Sequence, residues 1–421
     1  MSGIRYGVAL RDYKTEYTAK ILARQIAGTT DLRGGDVEIQ GKPFPSVIIA
    51  GAGISGLCLA IRLKQAGFEQ ITILESSDDV GGTWLKNSYP NAGCDVPSYL
   101  YSYSFARKFD WTMKYARQPE ILSYLRQCAE RFGIRSHIHF TTAVDSSTFD
   151  DSSGTWRITT DSGEDLVGDV FVSAVGQLNR PQLPQIEGME SYRGEQWHSA
   201  RWNHEFDFTD KTVAVIGNGA SAIQFLPEIA KRARKIYHLQ RTPCWVQSFN
   251  NYRYPGWARW GLRSLPFCAS LHRLWIYLSC EWRILAFRKG GVLNEEYARW
   301  LRRQMRRKIP ADQWSQLIPE YAPGCKRILL SNDYLETLAR ENVDVITEPL
   351  ERLDAAGIVT RSAAHPVDAV IFATGFKATE FLQPMQIRGR EGCLLEDVWS
   401  GRPKAYYGMA APGFPNMFLL Y

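Results

Sequence analysis

Twice in 421 residues an apolar run of strand type meets a glycine-rich turn and continues into a helical pattern, and no other feature restricts the chain more. The first copy is Val47-Ile48-Ile49-Ala50, then Gly51-Ala-Gly53-Ile-Ser55-Gly56, a helix from Leu57 to Gln65 and a second strand from Gln70 to Glu75. The second is Thr212 to Ile216, then Gly217-Asn-Gly219-Ala-Ser221-Ala222, a helix from Ile223 to Ala233 and a strand from Lys235 to Gln240. A glycine-rich turn alone is weak evidence, because glycines also close helices; the flanking strand and helix give it meaning. The first glycine allows a tight turn, the second lets backbone approach a pyrophosphate, and the third lets the helix pack on the strand. The phosphate then meets free N–H groups at the positive end of the helix dipole.

These units predict an α/β chain with two Rossmann-like dinucleotide-binding domains and a helical insertion in the second. The residue ending each second strand separates their ligands. Glu75 stands 24 positions after Gly51, where a carboxylate binds ribose hydroxyls. Arg241 stands 24 positions after Gly217, where a guanidinium pairs with a 2′-phosphate that a carboxylate would repel, so NADPH is expected rather than NADH.

Residues 1–45 read as an extension with one short helix, Glu16 to Gln25. The first domain is expected over 46–180 and the second over 181–364, with a helical, aromatic insert at 255–320. Strands at Ala369–Ala373 and Met417–Tyr421 suggest that 365–421 returns to complete the first domain. The eight cysteines form no CxxC pair or Cys/His cluster, which implies reduced thiols in a cytoplasmic protein and no metal site. No secretion signal or membrane-spanning run is visible. A net charge of +6, without a nucleic-acid-binding motif, argues against a nucleic-acid partner. In the insert, Arg299, Arg302, Arg303, Arg306 and Arg307 follow helical spacing opposite Trp300, Leu301 and Met305, and Trp257, Trp260, Trp275, Trp282 and Trp314 lie nearby. Such a stripe is usually a solvated face; it also leaves open a peripheral membrane contact through 255–308, and the insert reads as a cap along the substrate path. Oligomeric state is not legible.

Gly81-Gly82-Thr83-Trp84 and Asn87 through Asp95 to Phe105 form a Gly/Pro/Asn loop with a lone acid, which on composition alone is a turn-capping aspartate. Tyr192-Arg-Gly194-Glu-Gln-Trp-His198-Ser-Ala-Arg-Trp202, Gly324-Cys-Lys326-Arg327, Ala373-Thr-Gly-Phe376 and Gly413-Phe-Pro-Asn416 follow in order. From about residue 45 to the end the chain resembles the type I Baeyer–Villiger monooxygenases, in wording closest to the hydroxyacetophenone monooxygenase and fungal natural-product branch. It departs from the linker fingerprint at Tyr192, where Phe is usual, and at Asn203, where Pro or Asp is usual.

The resemblance implies FAD at the first site, held through Gly51, Gly53, Ser55, Gly56 and Glu75 together with Gly82, Thr83, Trp84, Asp95 and Tyr101. It implies NADPH at the second, through Gly217, Gly219, Ser221, Ala222, Arg241, Thr242 and Lys326. Arg327, held by Asp95, would be the catalytic cation, and Gly194, His198 and Trp202 would order the linker and the NADPH domain without chemistry of their own. The reaction implied is insertion of one oxygen atom from dioxygen beside a ketone carbonyl, through a flavin peroxide, giving an ester or lactone from a bulky apolar secondary metabolite. A flavin N- or S-oxygenase stays open. So does an uncoupled flavin-binding remnant, since related enzymes continue past the position of Tyr421 and the chain is expected to be truncated there.

Overall fold

Strands apolar at every position, such as Val47–Ala50 and Ala369–Phe372, are buried on both faces and therefore suit the interior of parallel sheets with layers on each side. The computed structural model describes residues 44–265, 267–281, 286–287 and 291–420. The expected helix Glu16–Gln25, Trp282 and Tyr421 lie outside the described residues.

The first lobe runs β1 (Val47–Ala50), α1 (Ile54–Gln65), β2 (Ile71–Leu74), α2 (Gln118–Arg131) and β3 (Ile138–His139). A meander of β4 (Val144–Asp150), β5 (Thr155–Thr160) and β6 (Asp165–Gly168) then leads to β7 (Val170–Ser173). The second lobe opens with β8 (Glu195–His198), β9 (Thr212–Ile216), α3 (Ala220–Ile229), β10 (Lys235–Leu239) and β11 (Val246–Gln247). The insert supplies α4 (Gly256–Ser264), α5 (Cys268–Glu281) and α6 (Val292–Arg306). After it come β12 (Leu329–Leu330), β13 (Val343–Ile346), a meander of β14 (Leu350–Leu353), β15 (Gly357–Thr360) and β16 (Ala364–Pro366), and β17 (Ala369–Phe372). β18 (Gln386–Arg388) and β19 (Met417–Leu419) follow.

The two parallel sheets share one plan. In the first the order is β19-β7-β1-β2-β3, and in the second β8-β17-β9-β10-β13. Alternate residues of each central strand enter different cores, as a period of two requires. Val47 and Ile49 pack with helical residues such as Leu57 and Leu125, while Ile48 and Ala50 face Trp156 and Ile158 of the meander. Likewise Val213 and Val215 face Phe225 of α3, and Ala214 faces Leu353 and Ile358.

This plan corrects one expectation. The strand at 369–373 does not return to the first domain: β17 pairs with β9 and β8, the counterpart of β7 beside β1. A strand buried on both faces carries no mark of which parallel sheet it joins. The return comes later, where Phe381, Leu382 and Met385 pack near Trp156 and Phe171, β18 pairs with β4, and β19 pairs with β7.

Candidate functional site

The first glycine turn is shaped by what it cannot hold. Gly51 has φ +104°, its N–H donates to Leu74 O at 2.8 Å, and a Cβ there would lie 2.8 Å from Ala174 O. A Cβ on Gly56 would lie 1.9 Å from Gly51 O, so only glycine lets α1 start this close to β1. α1 begins at Gly53 with neither a capping side chain nor an acid in its first turn, which leaves its leading N–H groups to an anion. Gly82, with φ +54°, faces Gly53 so closely that a Cβ on it would sit 3.0 Å from the Gly53 Cα. The half-exposed Ser55, Gly53 and Gly82, with the exposed Thr83, thus form a cradle nearly free of side chains, which fits a diphosphate. Glu75 is buried and braces it: Oε2 accepts from Ala52 N at 2.7 Å and Oε1 from Ser77 N at 2.9 Å. In the structure these bonds give Glu75 the role of stiffening the turn.

The second turn repeats this geometry. Gly217 has φ +103° and donates to Leu239 O at 2.9 Å, and a Cβ on it would lie 2.5 Å from Ala373 O. A Cβ on Gly219 would meet nothing within 4 Å, so the approach to α3 is open. Ser221 is half-buried and Ala222 fully buried against the sheet. Asn218 ties the turn to the strand end, donating to Gln240 Oε1 at 3.0 Å and Thr242 O at 2.9 Å. Arg241 beyond it is exposed and has no ion-pair partner among the described residues. Lys326 Nζ lies 5.1 Å over the Tyr321 ring. Its charge reaches Cys244, three positions past Arg241, where burial pushes the thiol up to about 12 while Lys326 opposes the shift. Arg241 and Lys326 are thus two cations without an ion-pair partner among the described residues. Arg241→Ala is expected to raise the KM for NADPH at least tenfold while changing that for NADH little, because only NADPH carries the 2′-phosphate. Steady-state oxidation of both nucleotides checks this, and equal losses would remove Arg241 from the site.

Between the turns runs the loop from Gly81 to Phe105. The Gln118 amide donates to Trp84 O, Trp84 Nε1 donates to Tyr101 Oη at 3.0 Å, and Tyr103 Oη donates to Ile54 O at 2.6 Å. The loop presents Asp95, and Arg327, entering just before β12, donates to its carboxylate. The structure thus brings together two residues 232 positions apart, one from each lobe. Both keep contact with solvent: Asp95 is 29% exposed and Arg327 is 55% exposed. That leaves the guanidinium's remaining donors available.

Gln224 on α3 escaped the sequence reading. Its Nε2 donates to Gly93 O at 3.0 Å, while its Oε1 accepts from Gly93 N at 3.2 Å and from Tyr89 Oη at 3.1 Å. Asn91 Nδ2 adds a bond to Gln224 O at 3.2 Å. One amide of the second lobe therefore fixes the loop that presents Asp95. A signal existed: Gln224 is a single amide within the buried run Ala222, Ile223, Phe225, Leu226 and Pro227.

The linker residues are held by close packing and by hydrogen bonds to backbone. A Cβ on Gly194 would lie 2.1 Å from Tyr192 Oη, and that hydroxyl donates to Val367 O at 2.8 Å, which gives the unusual tyrosine its own anchor. Asn203 Oδ1 accepts from Glu205 N at 3.0 Å and so makes its turn by a side-chain bond. His198 is buried at the end of β8, where Nδ1 accepts from Ala200 N at 3.1 Å; burial lowers its pKa, and the nearby Gly375 backbone acts the other way without an aligned bond to Nε2. Trp202 packs between Phe208, Phe225 and Tyr89.

The arginine stripe on α6 is not one free face. Arg302 lies 5.5 Å over Trp245, Arg306 lies 4.7 Å over Trp314, and Arg299 pairs with Glu296 at 2.6 Å. Only Arg303 and Arg307 of the five extend from exposed positions without such a contact among the described residues. Leu301 and Met305 are buried as expected, whereas Trp300 is exposed and stacks on Tyr297.

Residues 45–258 match the family described as flavin-binding monooxygenase-like. The chain is 38% identical to "FAD-binding monooxygenase ktnD" of Aspergillus niger, over 89% of this chain and 64% of that protein. It is 38% identical to a Baeyer–Villiger monooxygenase of Pseudomonas aeruginosa, over 89% of this chain and 71% of that one. Among solved structures, OTEMO in complex with FAD and NADP superposes with a TM-score of 0.80 at 29% identity, covering 90% of this chain and 80% of that one.

Proposed function

Since the chain belongs to the flavin-binding monooxygenase-like family, as a Baeyer–Villiger-type member that uses FAD and NADP(H), we propose that it inserts one oxygen atom beside the carbonyl of a bulky apolar ketone, giving an ester or lactone. The observation that carries this reading is the Asp95–Arg327 pair, which joins the loop after the first glycine turn to the segment before β12. Bound FAD, reduced by NADPH, supplies the activated oxygen. The chain's own contribution is electrostatic and positional. As the carbonyl carbon becomes tetrahedral, negative charge gathers on the substrate oxygen, and a guanidinium with free donors stabilises it. Asp95 accepts part of the guanidinium fork and fixes its direction; lysine would lack that planar geometry. Glu75 and Gln224 hold the first turn and the Asp95 loop, so the donors are set before substrate arrives.

A flavin N- or S-oxygenase would share both glycine turns but has no need of an arginine aimed at a carbonyl oxygen. The purified protein, supplied with FAD and NADPH, is to be given an aryl or cyclic ketone, a tertiary amine and a sulfide in parallel. Ester or lactone formed in step with NADPH consumption is the expected result. N-oxide or sulfoxide with no ester would overturn the proposal in favour of heteroatom oxygenation, and hydrogen peroxide alone would indicate an uncoupled flavoprotein.

A further inference from the structure

The insert carries an apolar face that nothing among the described residues covers. On α5, Leu271, Leu274, Trp275 and Leu278 fall at i, i+3, i+4 and i+7 and are all more than half exposed, while Ala269 and Ile276 on the other side are buried. Trp257 and Trp260 of α4 are 78% and 63% exposed, and Phe267, between the two helices, is 79% exposed. Isolated exposed apolar side chains are ordinary, but a contiguous stripe on two successive helices marks an interaction surface.

The charge around this face identifies what meets it. From Ile229 to Cys280 the chain contains no Asp or Glu. Arg263 is exposed on the last turn of α4, and Arg107 reaches the hairpin by donating to Ser270 Oγ at 3.1 Å. The first acid past this window is Glu281, at the far end of α5, and Asp110 nearby is paired with Lys108 at 2.6 Å. A twofold contact between copies would bring this basic surface against itself, which like-charge repulsion opposes. Exposed tryptophans, a leucine stripe and a basic excess instead suit the headgroup boundary of a bilayer.

We propose that the α4–α5 hairpin is a membrane-contact surface that seats the protein peripherally on an anionic lipid bilayer. No helix among the described residues is long and apolar enough to cross one, so the contact lies in the plane of the interface. This places the surface on α4–α5 rather than on the arginine face of α6, whose charges are largely engaged on indole rings and Glu296. It does not depend on the ketone assignment.

The test is flotation of the full chain with vesicles of phosphatidylcholine alone and of phosphatidylcholine mixed with phosphatidylserine. Binding to the mixed vesicles, weakened by salt, is expected. Leu274→Glu/Trp275→Glu should abolish it, and Arg107→Gln/Arg263→Gln should lower vesicle affinity about tenfold or more. Unchanged melting curves keep misfolding from imitating these losses, since all four side chains are solvent-accessible. Absence of flotation, or flotation indifferent to both double variants, would refute the proposal. So would a dimer in sedimentation that Leu274→Glu/Trp275→Glu dissociates while vesicles bind nothing, since the face would then be a contact between copies.

Discussion

Replacing Arg327 by alanine should leave FAD bound and reducible by NADPH, yet lower ester formation by about a hundredfold or more, the scale for removing one preorganised partner of a developing oxyanion. The separation follows from geometry. Arg327 enters before β12, outside the glycine turns at Gly51 and Gly217, and its contact in the structure is with Asp95. In the proposed mechanism, flavin retention and hydride delivery depend on the turns, whereas charge on the substrate oxygen depends on the guanidinium. Rapid mixing with NADPH under nitrogen reports reduction, and product analysis in air reports transfer. Arg327→Lys should recover only part of the loss, because an ammonium cannot engage Asp95 and substrate with one planar fork. Ester formation at the original rate in both variants would reduce the pair to a surface contact.

The second large effect is expected at Gly51, where valine should yield protein without flavin. Two penalties combine there: φ of +104°, which a β-branched residue avoids, and a Cβ forced to 2.8 Å from Ala174 O. Relief requires moving β1 away from Ala174 or rotating the turn, and either removes the Gly51 N–H from Leu74 O and disturbs the start of α1. Absorbance of the purified variant near the flavin bands gives the answer. Normal FAD content would show that the turn tolerates a side chain and that the diphosphate is held elsewhere.

Both glycine turns were legible because their requirements are local. A positive φ at Gly51 and Gly217 and the close approach of Gly56 to Gly51 are demands of backbone geometry, written in residue types within a single six-residue turn. The placement of β17 was less accessible, since Ala369–Phe372 is apolar throughout and fits either sheet. Its allegiance is marked only by comparison with β7: Ala174 precedes Val175 and Gly176 as Ala373 precedes Thr374 and Gly375, and each alanine carbonyl faces the first glycine of its own lobe. The Asp95–Arg327 pair lay beyond spacing altogether and was legible through family resemblance. Periodicity found the α6 stripe but could not show that Trp245 and Trp314, distant in sequence, would lie beneath two of its arginines.

The Gln224 amide has a thermodynamic consequence. By binding Gly93 through both its donor and its acceptor, it makes the start of α3 and the loop carrying Asp95 share one arrangement. Where the nucleotides at the two turns both favour this arrangement, each tightens the other, and the two effects are equal by linkage: the factor by which NADP+ tightens FAD is the factor by which FAD tightens NADP+. The two affinities are therefore a single measurable quantity seen from opposite ends, and shortening this one side chain should draw that factor toward one from both sides at once.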